Sequence, residues 1–240
     1  MGAVVTKSCE AITVHRLTPP HHGEPVFYAS LPLDRETPKG QGTSSEATRY
    51  RLVSTLWHHR AARGHAPVNN SSAPFSLQVV RGLLGRPHLL AGDCRVSISF
   101  SEGGGRVWTA LSGDGSGIGI DVAGSDEFQG GYPLHRVFHP EELQHALELA
   151  GGKVAEAAAL LWSVKEAVVK ALGCGFHLVD PRQITVCHST GEGEHTFPVV
   201  LSGKALGRFS PAAGRSLWVR SFPQEKMWLA IARLSQAAAP

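Results

Sequence analysis

The chain has 240 residues, enough for one large domain or two small ones that bury a hydrophobic core. Hydrophobic residues make up 42% and charged residues 18%, a balance typical of globular proteins and not of disordered chains. The net charge of +3 is diluted among 20 acidic residues, so it does not indicate nucleic acid binding. It fits an acidic ligand or an acidic protein partner.

Targeting signals and cysteine chemistry are also constrained by the sequence. No apolar stretch approaches the roughly 18 residues that a membrane span needs, and residues 1–10 lack a basic start followed by an apolar run. The four cysteines are scattered without a Cys-x-x-Cys pair, which argues against a zinc site or a disulfide framework. We therefore expect a cytoplasmic protein that contacts neither membrane nor nucleic acid.

The first part of the chain predicts short strands and one long helix. Strands are expected at 11–14 and near 25–28. Ser44 or Ser45 can cap a helix that runs to about Ala62, since apolar residues recur there at helical spacing. A turn-like break with a basic tip is expected at 85–89.

The middle and the end of the chain predict more strands and two further helices. Three strands from Arg95 to 122 are expected to form a β-meander. A helix should begin at Pro140, and a long alanine-rich helix should cover 154–172 and stop at Gly173. Four strands are expected near 183–187, 196–202, 216–221 and 227–233. The pattern indicates class α+β, with similar halves at 1–112 and 113–240, each with one main helix.

Two motifs carry the chemistry. Asp121 ends the apolar strand that begins at Gly117, and Glu166 and Lys170 lie four residues apart on an otherwise apolar helix. At 100° per residue these two side chains are about 40° apart on one helix face. Two carboxylates suit a hard divalent cation, and a lysine one turn away suits the phosphates that such a cation binds. The alternative is a solvent-facing salt bridge on the helix and a turn aspartate after the strand.

Other nucleotide and hydrolase motifs are missing. The alternating glycines at 117 and 119 precede an apolar strand, whereas a dinucleotide fingerprint lies between a strand and a helix. There is no Walker lysine motif, and Asp114 stands where a Gly-x-Ser-x-Gly elbow around Ser116 would need glycine.

The two motifs together resemble the signature of the 4′-phosphopantetheinyl transferase superfamily. That signature is a Gly-Ile/Val-Asp triplet followed, tens of residues later, by Trp-x-x-Lys-Glu-x-x-x-Lys; here these are 119–121 and 162–170. Gly85-Arg86-Pro87 resembles a further element of the family, and the glycines at 173 and 175 match those that follow its helix. The length resembles the long, pseudo-twofold surfactin-type group, which implies two similar subdomains, each a small antiparallel sheet packed with one long helix.

The resemblance implies an Mg²⁺-dependent transfer of phosphopantetheine from coenzyme A to a serine of an acyl or peptidyl carrier protein, releasing 3′,5′-ADP. This modification belongs to polyketide, fatty acid or related biosynthesis. Asp121 and Glu166 would hold the metal, and both would act in catalysis with Lys170. The half 1–112 would take the 3′-phosphate and adenine, and 113–240 the metal and the catalytic groups. The implied coenzyme A ligands are Arg49, Arg51, Arg86, Pro87, His88, Ser101, Glu102, Lys165 and Lys170.

The implied protein partner is an acidic carrier protein, and the chain would act as a monomer or as a domain of a larger synthase. The sequence differs from the family pattern at two positions. Ala123 stands where many relatives have a second acidic metal ligand, so water, Asp126 or Glu127 would have to complete the site. Glu102 stands where relatives have a histidine that meets a coenzyme A phosphate. Two alternatives follow: a scaffold of the same fold that binds coenzyme A or carrier protein without turnover, and an unrelated nucleotide-binding enzyme.

Overall fold

A computed structural model describes residues 11–19, 24–33, 44–65, 76–82, 84–189, 195–209, 217–224 and 226–234. Within them the chain is an α+β protein with two antiparallel sheets, each packed against one long helix, and the two parts are similar in layout. The predicted fold class is therefore confirmed. None of the described helices has the length and the apolar character that crossing a membrane requires.

The first sheet is formed by strands β1 (His15–Leu17), β2 (Val26–Pro32), β3 (Leu77–Arg81), β4 (Pro87–Ala91), β5 (Cys94–Gly103) and β6 (Arg106–Ser112). Their order across the sheet is β1-β2-β6-β5-β4-β3. Helix α1 (Ser44–Ala62) packs on β2 and β6. Its residues Leu52 and Leu56 join Phe27 and Leu111 in one buried cluster, which explains the helical spacing of the apolar residues.

The second sheet is formed by strands β7 (Gly117–Gly124), β8 (Ile184–Val186), β9 (His195–Leu201), β10 (Leu217–Gln224) and β11 (Met227–Leu234). Their order is β7-β11-β10-β9-β8. The helices of this part are α2 (Pro140–Leu149), α3 (Val154–Leu172) and α4 (Gly203–Phe209). Helix α3 packs on β7 and β11, and its alanines, leucines and valines are buried on most sides.

The two parts share one topology. In each, a first strand precedes the long helix, and the strand order β2-β6-β5-β4-β3 repeats as β7-β11-β10-β9-β8. The long helices α1 and α3 both have 19 residues. The strand β1 is an addition to the first sheet.

The sheets pack face to face, and β5 contacts β7 across the junction. A buried cluster that includes Trp108, Ile118, Ile120 and Leu229 fills the space between the sheets. At the free edge of β7, the hydroxyl of Ser99 accepts the Ile120 N–H at 3.0 Å. The hydroxyl of Ser101 accepts the Val122 N–H at 3.3 Å. Two serine hydroxyls of the first sheet thus accept hydrogen bonds from backbone N–H groups on the edge strand of the second sheet.

Several predicted elements need correction. The strand expected at 11–14 lies at His15–Leu17, and the break expected at 85–89 is a turn followed by β4, because Pro87 can begin a strand without losing a needed N–H donor. The helix α4 was not predicted.

The expected β-meander is wrong, since β7 does not pair with β6. All eight residues of β7 pair with β11 instead. The turn between β6 and β7 is held by Asp114, which accepts hydrogen bonds from Ser112 at 3.0 Å and from the Ser116 N–H at 3.0 Å, and pairs with the buried Arg233. This turn moves the chain from one sheet to the other.

Candidate active site

Strand β7 brings Asp121 to the surface of α3. Its Oδ1 atom accepts hydrogen bonds from Lys170 Nζ at 2.6 Å and from Ser101 Oγ at 2.9 Å. Lys170 also donates to the Ile120 carbonyl oxygen at 3.2 Å. Asp121 is only 7% exposed, so these partners are what make its burial tolerable. The lysine predicted to lie one turn from Glu166 therefore contacts the strand aspartate directly.

The glycines before Asp121 explain how the helix comes so close. A Cβ built on Gly119 would lie 1.9 Å from the carbonyl oxygen of Ala167, and one on Gly117 would lie 2.4 Å from that of Ala171. No side chain fits at either position, so the backbones of β7 and α3 are in contact. This close approach brings Glu166 and Lys170 to Asp121.

Burial and neighbouring charges shift the pKa values of the carboxylates in this site. Burial raises the pKa of Asp121, and the Lys170 ammonium and the hydrogen bonds oppose this shift. Burial also raises the pKa of Glu166, and the negative charge of Asp121 raises it further. Glu127, which accepts the Gly124 N–H at 2.8 Å, adds to the repulsion. The site concentrates negative charge against one ammonium, an arrangement that a cation would stabilise.

No group of three or more His, Cys, Asp or Glu side chains is arranged to hold a metal ion in the part of the chain that the structure describes. Ala123, at the position where the family resemblance implies a further acidic ligand, is buried in the core around α3. The remaining donor set is Asp121 and Glu166, with Glu127 nearby. Two carboxylates and bound waters suit Mg²⁺, which commonly keeps several waters, so the residues present fit this ion.

A cavity of about 250 Å³ lies beside this cluster, between the two halves. It opens next to Lys170 and the end of α3, and its walls combine cations with apolar surface. The lining residues that matter here are Arg49, Arg81, Arg86, Phe100, Lys170 and Cys174. Burial raises the pKa of the Cys174 thiol to about 11, so this cysteine is a neutral wall of the cavity.

The guanidinium of Arg86 lies in the wall of this cavity and is mostly buried. Its side chain packs against Gly173 and Gly117, and its Nη2 lies 3.5 Å from Ser97 Oγ. The Nε atom is buried without a hydrogen-bond partner, and no carboxylate pairs with the guanidinium among the described residues. Burial, and then the charge of Arg95, lower its pKa. A buried guanidinium without an anionic partner is suited to bind an anionic ligand.

The other predicted coenzyme A ligands differ in their positions. Arg49, Pro87 and Lys170 line the cavity with Arg86. Ser101 bonds to Asp121, and Glu102 points to the opposite face of β5, where it accepts hydrogen bonds from Arg49 at 2.9 Å and from the Ser45 hydroxyl.

Arg51 and His88 are also outside the cavity. Arg51 is exposed on α1 and is not a lining residue. His88 is on β4, where burial and the charges of Arg95 and Arg86 lower its pKa to about 4, so it is neutral near pH 7. A neutral imidazole offers no charge to a phosphate.

The expectation that Lys165 binds the cofactor does not fit its position. Its side chain is fully buried, and Nζ lies 2.5 Å from Glu142 Oε1. The same ammonium donates at 2.9 Å to the carbonyl oxygens of Val137 and Pro181. All three N–H donors of this ammonium are thus used inside the core. They join α3 to the segment that begins α2 and to the backbone at Pro181.

Sequence reasoning missed Arg81, Phe100 and Cys174 as cavity residues. Arg81 ends β3 and donates to the Gly85 carbonyl oxygen at 3.2 Å across the turn that carries Arg86. A basic residue five positions before Arg86 could have indicated a shared turn. Phe100 lies under the Arg49 guanidinium, 5.4 Å from it, a contact that no local pattern reveals.

Comparison with known protein families gives one match, in the second half of the chain. A family model described as the 4′-phosphopantetheinyl transferase superfamily matches residues 117–211, which include Asp121, Glu166 and Lys170. No curated protein sequence matches the chain.

Three solved structures are among those that match the chain. The ACPS–CoA complex from Chronobacterium ammoniagenes is 21% identical, with a TM-score of 0.43, over 52% of this chain and 100% of that chain. The holo-acyl-carrier-protein synthase from Neisseria meningitidis is 22% identical, with a TM-score of 0.40, over 50% and 98%. The holo-ACP synthase from Plasmodium yoelii is 20% identical, with a TM-score of 0.40, over 51% and 95%. Each matches about half of this chain.

Proposed function

We propose that the chain is a 4′-phosphopantetheinyl transferase that moves phosphopantetheine from coenzyme A to a serine of an acyl or peptidyl carrier protein. The observation that supports this most is the meeting of Asp121, Glu166 and Lys170, all within the matched segment, beside a cavity lined by Arg86, which has no carboxylate partner among the described residues. Coenzyme A carries a pyrophosphate and a 3′-phosphate, and this site offers a place for each.

The carboxylates Asp121 and Glu166 would hold one Mg²⁺, which when bound would neutralise charge on the pyrophosphate. Lys170, which contacts Asp121, would stabilise the phosphate oxygen on which negative charge develops as the leaving group departs. Arg86 and its neighbours in the cavity would take the 3′-phosphate end.

Glu166 is the group we assign as general base. The carrier serine oxygen forms a bond to the β-phosphorus of coenzyme A, and the bond from that phosphorus to the bridging oxygen breaks. The hydroxyl proton passes to Glu166, and 3′,5′-ADP leaves.

The finer assignments are part of the same proposal. We place the 3′-phosphate and adenine with residues 1–112 and the chemistry with 113–240. The repeated strand order supports a pseudo-twofold chain of the long, surfactin type that acts as a monomer or as a domain of a synthase. An acidic carrier protein fits the positive net charge.

Mass spectrometry of carrier proteins tests the proposal. Incubation with coenzyme A, Mg²⁺ and an apo carrier protein should add about 340 Da, the mass of the phosphopantetheine group, to the carrier. The second candidate is a scaffold without turnover, favoured by the engagement of Arg49 by Glu102 and by Ala123 at the metal site. Coenzyme A binding with no mass gain on any of several carriers would establish the scaffold instead.

A further inference from the structure

The three arginines of the cavity differ in their partners. Arg86 has no carboxylate partner among the described residues, and Arg81 donates to a backbone carbonyl oxygen. Arg49 alone among these three forms an ion pair in the described part of the chain, with Glu102 Oε1 at 2.9 Å. Its Nε atom is buried without a partner, so its donors are only partly used.

Glu102 is held where it is by two groups on α1. Besides Arg49, the hydroxyl of Ser45 donates to the same oxygen, Oε1. The side chains of Arg49 and Glu102 are 33% and 38% exposed, so the pair lies at the mouth of the cavity and not in its interior. The ring of Phe100 beneath Arg49 keeps the guanidinium at the cavity wall.

We infer that Glu102 is an internal anion that competes with a ligand phosphate for Arg49. This inference rests on the proposed function, which puts the 3′-phosphate of coenzyme A in this cavity. Arg49, Arg81 and Arg86 line the same cavity, so a phosphate monoester bound there would face all three guanidinium groups, but Arg49 already pairs with the Glu102 carboxylate. Glu102 must either give up the guanidinium or remain and repel the phosphate, and both lower the affinity.

Glu102 is therefore a specificity-determining residue. It weakens binding of the 3′-phosphorylated nucleotide relative to its dephosphorylated form, because only the former brings an anion to Arg49. The exposed position limits the effect, since a partly solvated ion pair contributes little free energy. The protein would discriminate less between coenzyme A and 3′-dephospho-coenzyme A than its three cavity arginines suggest.

Calorimetric titration with these two ligands tests the inference. Glu102→Gln keeps the shape and removes the charge, and it should bind coenzyme A about five-fold more tightly than the wild type. Its affinity for 3′-dephospho-coenzyme A should stay within about two-fold. Glu46→Gln is the matched control, because it removes one negative charge from an exposed position on α1, the helix that contains Arg49. It should change neither affinity.

A second pair of variants separates the action through Arg49 from a general charge effect. In an Arg49→Gln background, which should itself weaken coenzyme A binding, Glu102→Gln should no longer tighten it. An unchanged or weaker affinity of Glu102→Gln for coenzyme A, or an equal gain for both ligands, would overturn the inference. If the wild type still modifies a carrier protein, the proposed function survives that result. Absence of coenzyme A binding in both wild type and variant would overturn both.

Discussion

The two halves of the chain have the same strand order and long helices of the same length, yet the charged cluster of Asp121, Glu166 and Lys170 lies in only one of them. Aligned from their first residues, α1 has Leu56 where α3 has Glu166. Thr109 and Ala230 are both the fourth residue of the last strand of their half, β6 and β11. Their partners on the first strands, Ala29 and Asp121, are therefore equivalent positions. Leu56 and Ala29 are both fully buried.

The same comparison explains the helix position. Two residues before Ala29 is Phe27, a large core side chain, whereas two residues before Asp121 is Gly119. The first half uses the space between strand and helix for apolar packing. The second half omits the side chain, so that helix and strand touch and three charged groups meet. The topology provides a stable frame, and a few substitutions turn one copy of it into a site.

The largest difference between the halves should appear on removing the carboxylates. Asp121→Ala and Glu166→Ala should each lower the transfer rate by about 10³-fold or more, because each removes a proposed metal ligand and the second also removes the proposed general base. The measurement is the initial rate of carrier modification, with circular dichroism to show that the fold is retained. Glu156→Ala, on the same helix, should keep the wild-type rate. A rate near that of the wild type in either acidic variant would exclude that residue from the mechanism.

The buried ion pair of Lys165 should matter for stability and not for ligand binding. Lys165→Met leaves Glu142 charged and unpaired in the core and should lower the free energy of unfolding by about 3–5 kcal/mol. Chemical denaturation measures this, and adding Glu142→Gln should recover part of the loss. Thr55→Ala, the equivalent position on α1, should change stability by less than about 0.5 kcal/mol.

The Michaelis constant of the same variant decides between the two roles of Lys165. At a temperature where Lys165→Met is folded, its KM for coenzyme A should remain within about two-fold of the wild-type value. A large rise in KM with unchanged stability would restore Lys165 as a coenzyme A ligand.

The contact between β7 and α3 gives the smallest of the three effects. Gly119→Ala puts a methyl group against the Ala167 carbonyl oxygen and should cost about 1–3 kcal/mol as helix and strand move apart. The same movement separates Asp121 from Lys170, so the transfer rate should fall as well. Thermal unfolding and initial rates measure both effects. Gly207→Ala is the control, since a Cβ there meets nothing within 4 Å; equal effects of the two substitutions would contradict the close-packing argument.

The sequence predicted the elements whose signals are local. The long helices α1 and α3 begin and end as expected, because their apolar spacing and the Gly173 stop are encoded within each segment. The meeting of Asp121 with α3 followed from the two motifs. Strand partners were not predictable in the same way, since β7 pairs with a strand more than a hundred residues later.

The position of each charged side chain was harder to predict. Helix α3 is apolar almost all round, so its sequence gives no exposed face that would separate the direction of Lys165 from that of Glu166. The partner that fixes Lys165 is Glu142, on another helix. The cavity likewise gathers Arg49, Arg81 and Arg86 from α1, β3 and the turn before β4, and only the fold brings them together.

The hydroxyl groups of Ser99 and Ser101 have a consequence for separating the halves. They cover N–H groups along a strand edge that is otherwise open to pairing with another chain. A fragment that starts after residue 112 would expose this edge together with the apolar row of Ile118, Ile120 and Val122. Such a fragment would self-associate. We therefore expect that the second half cannot be expressed apart from the first, although the two repeat one topology.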